Sequence, residues 1–151
     1  GVDPMAAGYS VERARVFIDD LRARLLARPE ISAVAFSSHN QGTGQVFIDG
    51  QPRRLDGRFV SLVGIDEGYL DTVGLRLLAG RGFTSRDGVG APAVAIVTDS
   101  LAKVIDPSGL VLGRRIGVDP KFSTMKDAEI IGVVPDIRVP GSLEPTTLYL
   151  P

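Results

Sequence analysis

Residues 68–84 of the chain read Gly68-Tyr69-Leu70-Asp71-Thr72-Val73-Gly74-Leu75-Arg76-Leu77-Leu78-Ala79-Gly80-Arg81-Gly82-Phe83-Thr84. A short helix is predicted over residues 67–73, because Asp66 stands where a capping side chain is expected. Gly74 supplies the left-handed residue that commonly ends a helix. A Gly-Arg-Gly-Phe turn follows at residues 80–83. The stretch therefore predicts a helix, a glycine stop and a turn in fixed order, and it contains no catalytic motif.

Segments with the periodicity of strands and helices lie on both sides of this stretch. Asp49-Gly50 predicts a two-residue hairpin turn. Helices are predicted over residues 11–28, capped by Ser10, and up to Ile105, capped by Thr98 or Asp99. The chain is expected to form an α+β fold with a mixed β-sheet, about three helices and about seven short strands. Eight segments are candidates for these strands, from apolar or alternating residues and, at 53–55, from pairing across the hairpin turn: residues 31–36, 45–48, 53–55, 59–65, 94–97, 110–118, 128–134 and 148–150.

The remaining stretches are rich in polar residues and glycine. Residues 37–44, 84–91 and 119–127 are therefore predicted to be loops. The first helix is amphipathic, with its apolar face at Ala14, Phe17, Ile18, Leu21 and Leu25. The core is predicted to include Val94, Ile96, Leu101, Val104, Ile130 and Val133.

Composition excludes several classes of function. The 151 residues include 17 basic and 18 acidic side chains, for a net charge of -1, so no nucleic acid or anionic membrane surface is indicated as a partner. The chain has no cysteine, which excludes disulfides, thiolate nucleophiles and cysteine metal sites. The longest apolar runs are strand-sized, and the N-terminus lacks the pattern of a signal peptide. Residues 1–4, before Met5, are interpreted as an expression remnant.

No catalytic, cofactor-binding or metal-binding residue is predicted. His39 is the only histidine, and it is expected to be exposed in a loop, with no nucleophile elbow near Ser37 or Ser38. Asp66, Glu67 and Asp71 lack the alternating oxygen ligands of a calcium loop, so Asp66 is expected to cap a helix while the other two are solvated. Neither Gly80 nor Gly82 belongs to a phosphate loop, and both are expected to adopt positive φ in a turn.

Arg81 is the charged residue with two open interpretations. A guanidinium between two glycines can bind exposed carbonyl groups or pair with a nearby carboxylate such as Asp87, which makes it structural. It can also contact a ligand or partner. The candidate site, structural or partner-binding, therefore consists of Gly80, Arg81, Gly82 and Phe83.

Four further segments follow in order: residues 93–102, then Gly113-Arg114-Arg115-Ile116, then residues 129–138 and finally residues 148–151. Together with residues 68–84, this series resembles the periplasmic core domain of MacB-like ABC transporter permeases, including the duplicated-permease, FtsX-like branch. The resemblance covers residues 9–151. It implies a porter-like portion at 9–55 and 145–151 and an inserted, strand-rich subdomain at 56–138.

The resemblance also implies a function. The chain is expected to be the extracytoplasmic domain of an ABC transporter permease, on the periplasmic face of a bacterial inner membrane and anchored by membrane helices outside this chain. It is expected not to be an enzyme and to need no cofactor. Its implied partners are those membrane helices, a cytoplasmic ATPase that acts indirectly, a second permease and a periplasmic adaptor. The alternative is an extracytoplasmic ligand-binding or sensor module, which one membrane span and a signalling domain would distinguish from a permease with four spans.

Overall fold

The computed structural model describes residues 7–55, 59–118, 127–137 and 146–151, without the side chains of residues 39–43. The chain divides into two compact units, Gly1–Ala35 and Phe36–Pro151. The division into a porter-like portion and an inserted subdomain stays a prediction.

The first unit contains helix α1, Val11–Leu26. Ser10 caps it as predicted, because its Oγ accepts a hydrogen bond from the backbone N of Arg13 at 3.3 Å. The ring of Tyr9 packs edge-on against Phe17, with 5.9 Å between the centroids. No residue of α1 is fully buried. The predicted strand at residues 31–36 is wrong, since these residues form no strand.

The second unit is built on one mixed β-sheet. The nine strands of the described residues are β1 Ser37–Thr43, β2 Gln45–Ile48, β3 Gln51–Arg54, β4 Val60–Ile65, β5 Ala79–Gly80, β6 Val94–Thr98, β7 Arg115–Val118, β8 Ala128–Val134 and β9 Thr147–Leu150. They follow the order β1-β4-β9-β6-β8-β7-β2-β3, and β5 pairs with β8. The pairs β4–β9 and β6–β8 are parallel, whereas the others are antiparallel. The α+β fold class is confirmed.

Strand β1 corrects the predicted loop at residues 37–44. Its backbone pairs with β4 from Ser37 opposite Ile65 to Thr43 opposite Val60, with an irregularity between Asn40 and Thr43. The strand ends the sheet, so backbone hydrogen bonds to one neighbour hold it without an apolar face. His39 accordingly lies in a strand rather than in the predicted loop, opposite Val63.

Strand β7 is shorter than the strand predicted at residues 110–118. Residues 110–114 form a turn rather than the start of a strand, because Gly109 and Gly113 both adopt positive φ, 73° and 81°. Leu110 is consequently 79% exposed. Of the predicted polar loop at 119–127, residues 119–126 lie outside the described residues.

Two short helices complete the second unit. Helix α2 spans Tyr69–Val73 and ends at Gly74, whose φ of 74° confirms the predicted left-handed stop. Its N-cap is Gly68, so the predicted cap at Asp66 is wrong. The Asp66 carboxylate instead accepts a hydrogen bond from the backbone N of Phe36 at 3.0 Å, beyond the end of the β1–β4 pair. Helix α3 spans Asp99–Ile105 after Thr98.

Side chains of the central strands alternate between two apolar clusters. Ala95 and Val97 of β6 join one cluster, whereas Val94 and Ile96 join the other, as expected for the two faces of a sheet. Leu101, Ala102 and Ile105 of α3 cover the first face. The second face is covered by Leu70 of α2 together with Phe83. The predicted core residues are buried, except that Val104 is partly buried.

No helix among the described residues combines the length and the hydropathy that crossing a lipid bilayer requires.

Candidate functional site

Two glycines bring the predicted site residues against the sheet. Gly80 of β5 lies opposite Gly132 of β8, and the backbone N of Arg81 donates to the carbonyl of Ile131 at 2.9 Å. Gly80 has φ 76°, and a Cβ there would collide with the Ile131 carbonyl oxygen. The close approach therefore requires glycine, and it places Arg81 at the edge of β8.

Arg81, Thr84 and Asp87 form a hydrogen-bonded group that we call the Arg81 clamp. The guanidinium binds the Asp87 carboxylate with both terminal nitrogens, Nη1 to Oδ2 at 2.7 Å and Nη2 to Oδ1 at 2.9 Å. Asp87 Oδ2 also accepts from the backbone N and the hydroxyl of Thr84, at 2.8 and 3.0 Å. Arg81 Nη1 donates to the Gly82 carbonyl at 3.1 Å. The clamp thus joins the end of β5 to the following loop.

Thr84 and Asp87 close a single turn. The backbone N of Asp87 donates to the Thr84 carbonyl at 3.0 Å, while the Asp87 side chain caps the Thr84 backbone N. The bond from the Thr84 backbone N to the Asp87 carboxylate is one half of a capping box, and the Thr-x-x-Asp spacing could have predicted it. The other half is absent, because the Asp87 backbone N donates to the Thr84 carbonyl rather than to its hydroxyl. The tight turn therefore lies at residues 84–87, after the predicted turn at 80–83. Gly82 does not adopt positive φ, so that part of the prediction is wrong.

The electrostatics of the clamp follow from these bonds. The paired guanidinium of Arg81, with the Thr84 hydrogen bonds, holds the pKa of Asp87 well below its ordinary value, against the opposing effect of burial. The same pair raises the pKa of Arg81. Asp87 is only 8% exposed, whereas the Arg81 side chain is 51% exposed. One side of the guanidinium is therefore accessible from solvent while the other is fixed.

Phe83 and Tyr149 lie on the second face of the sheet. Phe83 is 7% exposed and belongs to the same cluster as Leu70 and Tyr149. Burial raises the pKa of Tyr149 to about 12, with a smaller effect from nearby Tyr69, whose ring centroid is 6.4 Å away. Among Gly80, Arg81, Gly82 and Phe83, the aromatic side chain is thus in the core and the guanidinium is at the surface.

Two other aspartates connect distant segments of the second unit. Asp136, after β8, accepts a hydrogen bond from the backbone N of Ser100 at 3.1 Å and so caps α3. The Thr98 hydroxyl makes no capping bond and instead accepts from the backbone N of Thr147 at 2.9 Å.

In the β2–β3 hairpin, Asp49 accepts from the backbone N of Arg115 at 3.0 Å and from Arg114 Nε at 2.9 Å. The sequence indicated Asp49 as a turn residue, but not its contacts with Arg114 and Arg115, and it did not indicate the capping role of Asp136.

The other acidic candidates do not join the Arg81 clamp. Glu67 and Asp71 are exposed, as predicted. Within the residues the structure describes, no group of three or more His, Asp or Glu side chains is arranged to hold a metal ion.

Comparisons with known proteins agree with this architecture. The family model of the MacB-like periplasmic core domain matches residues 3–151. Comparison with curated protein sequences gives no match.

Two solved structures are similar to the chain. The periplasmic region of MacB from Actinobacillus actinomycetemcomitans is 25% identical, with a TM-score of 0.63 over 89% of this chain and 54% of that one. The extracellular domain of the noncanonic ABC-type transporter YknZ from Gram-positive bacteria has a TM-score of 0.61 at 20% identity, over 88% of this chain and 61% of that one, and supports the fold. The chain thus spans between half and two thirds of each of these structures.

Because the family model covers nearly the whole sequence, the chain belongs to the family of MacB-like periplasmic core domains. It is the extracytoplasmic domain of a MacB-like ABC transporter permease.

Proposed function

We propose that the domain transmits ATP-driven conformational change in the permease to a substrate or partner protein outside the membrane, and catalyses no reaction itself. ATP is hydrolysed by a cytoplasmic ATPase, and the permease works as a dimer that recruits a periplasmic adaptor. The observation that carries this proposal is the family match over residues 3–151.

The architecture of the second unit supports a mechanical role. One continuous sheet joins its nine described strands, and apolar clusters pack both faces of the central strands. Densely packed interiors have low compressibility and transmit strain. Movement imposed on one strand therefore displaces the whole unit.

The chemistry of the Arg81 clamp supports a structural role rather than catalysis. Strongly perturbed carboxylates are candidates for catalysis when they sit in a cleft with a free side. The Asp87 carboxylate instead accepts bonds from Arg81 and Thr84 on both oxygens. Its pKa is lowered by contacts that hold the chain together.

Distance measurements on the full-length permease test the proposal. The domain has no cysteine, so Arg54→Cys on β3 and Lys103→Cys on α3 provide specific sites for spin labels in a permease otherwise free of cysteine. With one label per domain, we expect the distance between the two domains of a dimer to change between the nucleotide-free and the ATP-bound states. With both labels in one domain, we expect their separation to stay constant, as a rigid unit requires. An interdomain distance that is the same in the nucleotide-free and the ATP-bound states would rule out the transmission of motion.

A further inference from the structure

A depression lies between α2 and the chain from Gly74 to Phe83. Its volume is about 500 Å³. Leu70, Leu75 and Phe83 form its apolar floor, and Glu67, Asp71 and Arg76 stand at its rim. It adjoins the Arg81 clamp through Gly82, which also lines it.

The floor is built into the core and is therefore fixed in place. Leu70 and Phe83 are each 7% exposed and pack in the cluster on the second face of the sheet. Gly82 places no side chain over this floor. A Cβ at Gly82 would lie 3.8 Å from Leu70 Cδ1, an ordinary contact, so the opening does not result from a steric requirement of the fold. An entering apolar side chain can reach Leu70 because residue 82 is glycine.

The charged residues at the rim indicate which charge a ligand should carry beside its apolar side chain. Glu67, Asp71 and Arg76 are exposed, and no ion pair within the described part of the chain includes any of them. Arg81, the next cation along the chain, is already neutralised by Asp87. The rim thus has two negative charges and one positive charge. This balance complements a ligand that brings a cation beside its apolar group.

We propose that the depression is a docking site for a segment of a partner protein in which a bulky apolar side chain is flanked by lysine or arginine. The apolar side chain packs on Leu70 and Phe83, and the flanking cations pair with Glu67 and Asp71. This inference rests on the proposed function, because it names the chemistry of the partner on which the domain acts.

Peptide binding to the 151-residue chain tests the site. The probes are end-capped peptides Gly-Lys-Phe-Lys-Gly, Gly-Glu-Phe-Glu-Gly and Gly-Lys-Ala-Lys-Gly, titrated into 15N-labelled protein. We expect saturable shifts in the amides of Gly74, Leu75 and Gly82 with the first peptide, with a Kd of about 1 mM for so short a segment. The acidic peptide and the alanine peptide should bind more weakly, and added salt should weaken the first.

Matched variants separate the two contacts. Gly82→Leu fills the depression and should weaken binding at least about ten-fold, a loss of about 1.4 kcal/mol. Its control is Gly88→Leu, where a Cβ meets open space and φ is not positive. Asp71→Asn should weaken binding by up to about five-fold, as expected for one exposed charge pair. Its control is Asp19→Asn on α1, which should bind like the wild type.

The proposal is overturned if the lysine and glutamate peptides bind equally, if no peptide shifts these amides, or if Gly82→Leu binds like Gly88→Leu while both remain folded. Dodecylamine, a small cationic amphiphile, is the last probe. Shifts with dodecylamine but not with the lysine peptide would overturn the proposal and assign the site to small molecules instead. These titrations need neither ATP nor membrane. A negative result in these titrations therefore does not bear on the interdomain distance measurements, and the two proposals can fail separately.

Discussion

At the scale of single residues, Asp87 organises the surface around Arg81. Its carboxylate connects the end of β5 with the turn at residues 84–87, and both glycines that flank Arg81 leave the backbone uncovered. The fixed fork of a guanidinium fits both oxygens of a carboxylate, whereas an ammonium group is a point charge. The role of Arg81 as a structural residue rather than a partner contact is a prediction that substitution can decide.

Arg81→Ala should lower the free energy of unfolding by about 1–2 kcal/mol, a range that allows for the exposure of the guanidinium. Arg81→Lys should resemble Arg81→Ala more than the wild type. Urea unfolding measures both variants, and the NMR signals of the Phe83 ring should broaden in both. Arg76→Lys, at an exposed residue outside any described ion pair, serves as the control. If Arg81→Ala is as stable as the wild type but the full-length transporter loses activity, Arg81 is a partner contact.

Asp87 should make the stability of the domain sensitive to acid. Its pKa in the folded state lies below the ordinary value of an aspartate, because Arg81 and Thr84 stabilise the charged form. Such a group contributes stability above the ordinary pKa of about 3.9, and this contribution is lost as the pH falls toward the folded-state pKa. The wild type should therefore lose more stability than Asp87→Asn between pH 7 and roughly pH 3. Equal losses in urea unfolding at the two pH values would contradict the structural role.

At the scale of elements, helix α3 depends on a side chain from a distant strand. Asp136 follows β8 and bonds to the backbone N of Ser100, 36 residues earlier. Removing such a cap typically costs about 1 kcal/mol, so Asp136→Ala should lower the free energy of unfolding by that amount. Asp136→Asn keeps an acceptor oxygen and should lose less. Thermal unfolding of the two variants gives the comparison, and an equal effect would show that the charge matters and the cap does not.

The central strands were predictable because both faces of each are buried, which produces continuous apolar runs such as Val94–Val97. Strand β1 was not, since its stability comes from backbone pairing with β4 and its side chains have no apolar pattern. The strand predicted at residues 110–118 begins only at Arg115, because Gly109 and Gly113 adopt positive φ, and Leu110 and Leu112 are exposed. At the candidate site, the sequence indicated an Arg81–Asp87 contact. It did not indicate the cap of α3 by Asp136, because the two residues of that bond are 36 positions apart and no local spacing encodes it.

Core substitutions test the strand assignments. Ile96→Ala and Ile130→Ala each remove a side chain that is 0% exposed, so each should lower the free energy of unfolding by about 2–5 kcal/mol. Leu110→Ala is the matched control, because this residue is 79% exposed and should change stability little. A thermal melt in which Ile96→Ala or Ile130→Ala behaves like Leu110→Ala would contradict the two-faced core.

At the scale of the whole molecule, the open property is whether the domain assembles without the membrane helices proposed to anchor it. The proposed permease dimer has membrane helices to reinforce its contact, and the chain supplies no strong electrostatic attraction between copies because its net charge is -1 and both signs are mixed along it. Most of the large apolar side chains of the second unit are already used in the two clusters of the sheet.

The 151-residue chain should therefore be mainly a monomer at micromolar concentration in sedimentation velocity. Raising the salt concentration should leave this state unchanged, since the prediction rests on weak attraction rather than on repulsion that salt could screen. A stable dimer typically buries more than about 1,200 Å² in total. If such a dimer forms, Leu78→Glu tests whether the half-exposed leucine beside β5 belongs to its interface, since this side chain is 54% exposed. A tight dimer that survives dilution would show that the domain carries its own assembly surface. The proposed conformational change would then act on a preformed pair rather than on two separate domains.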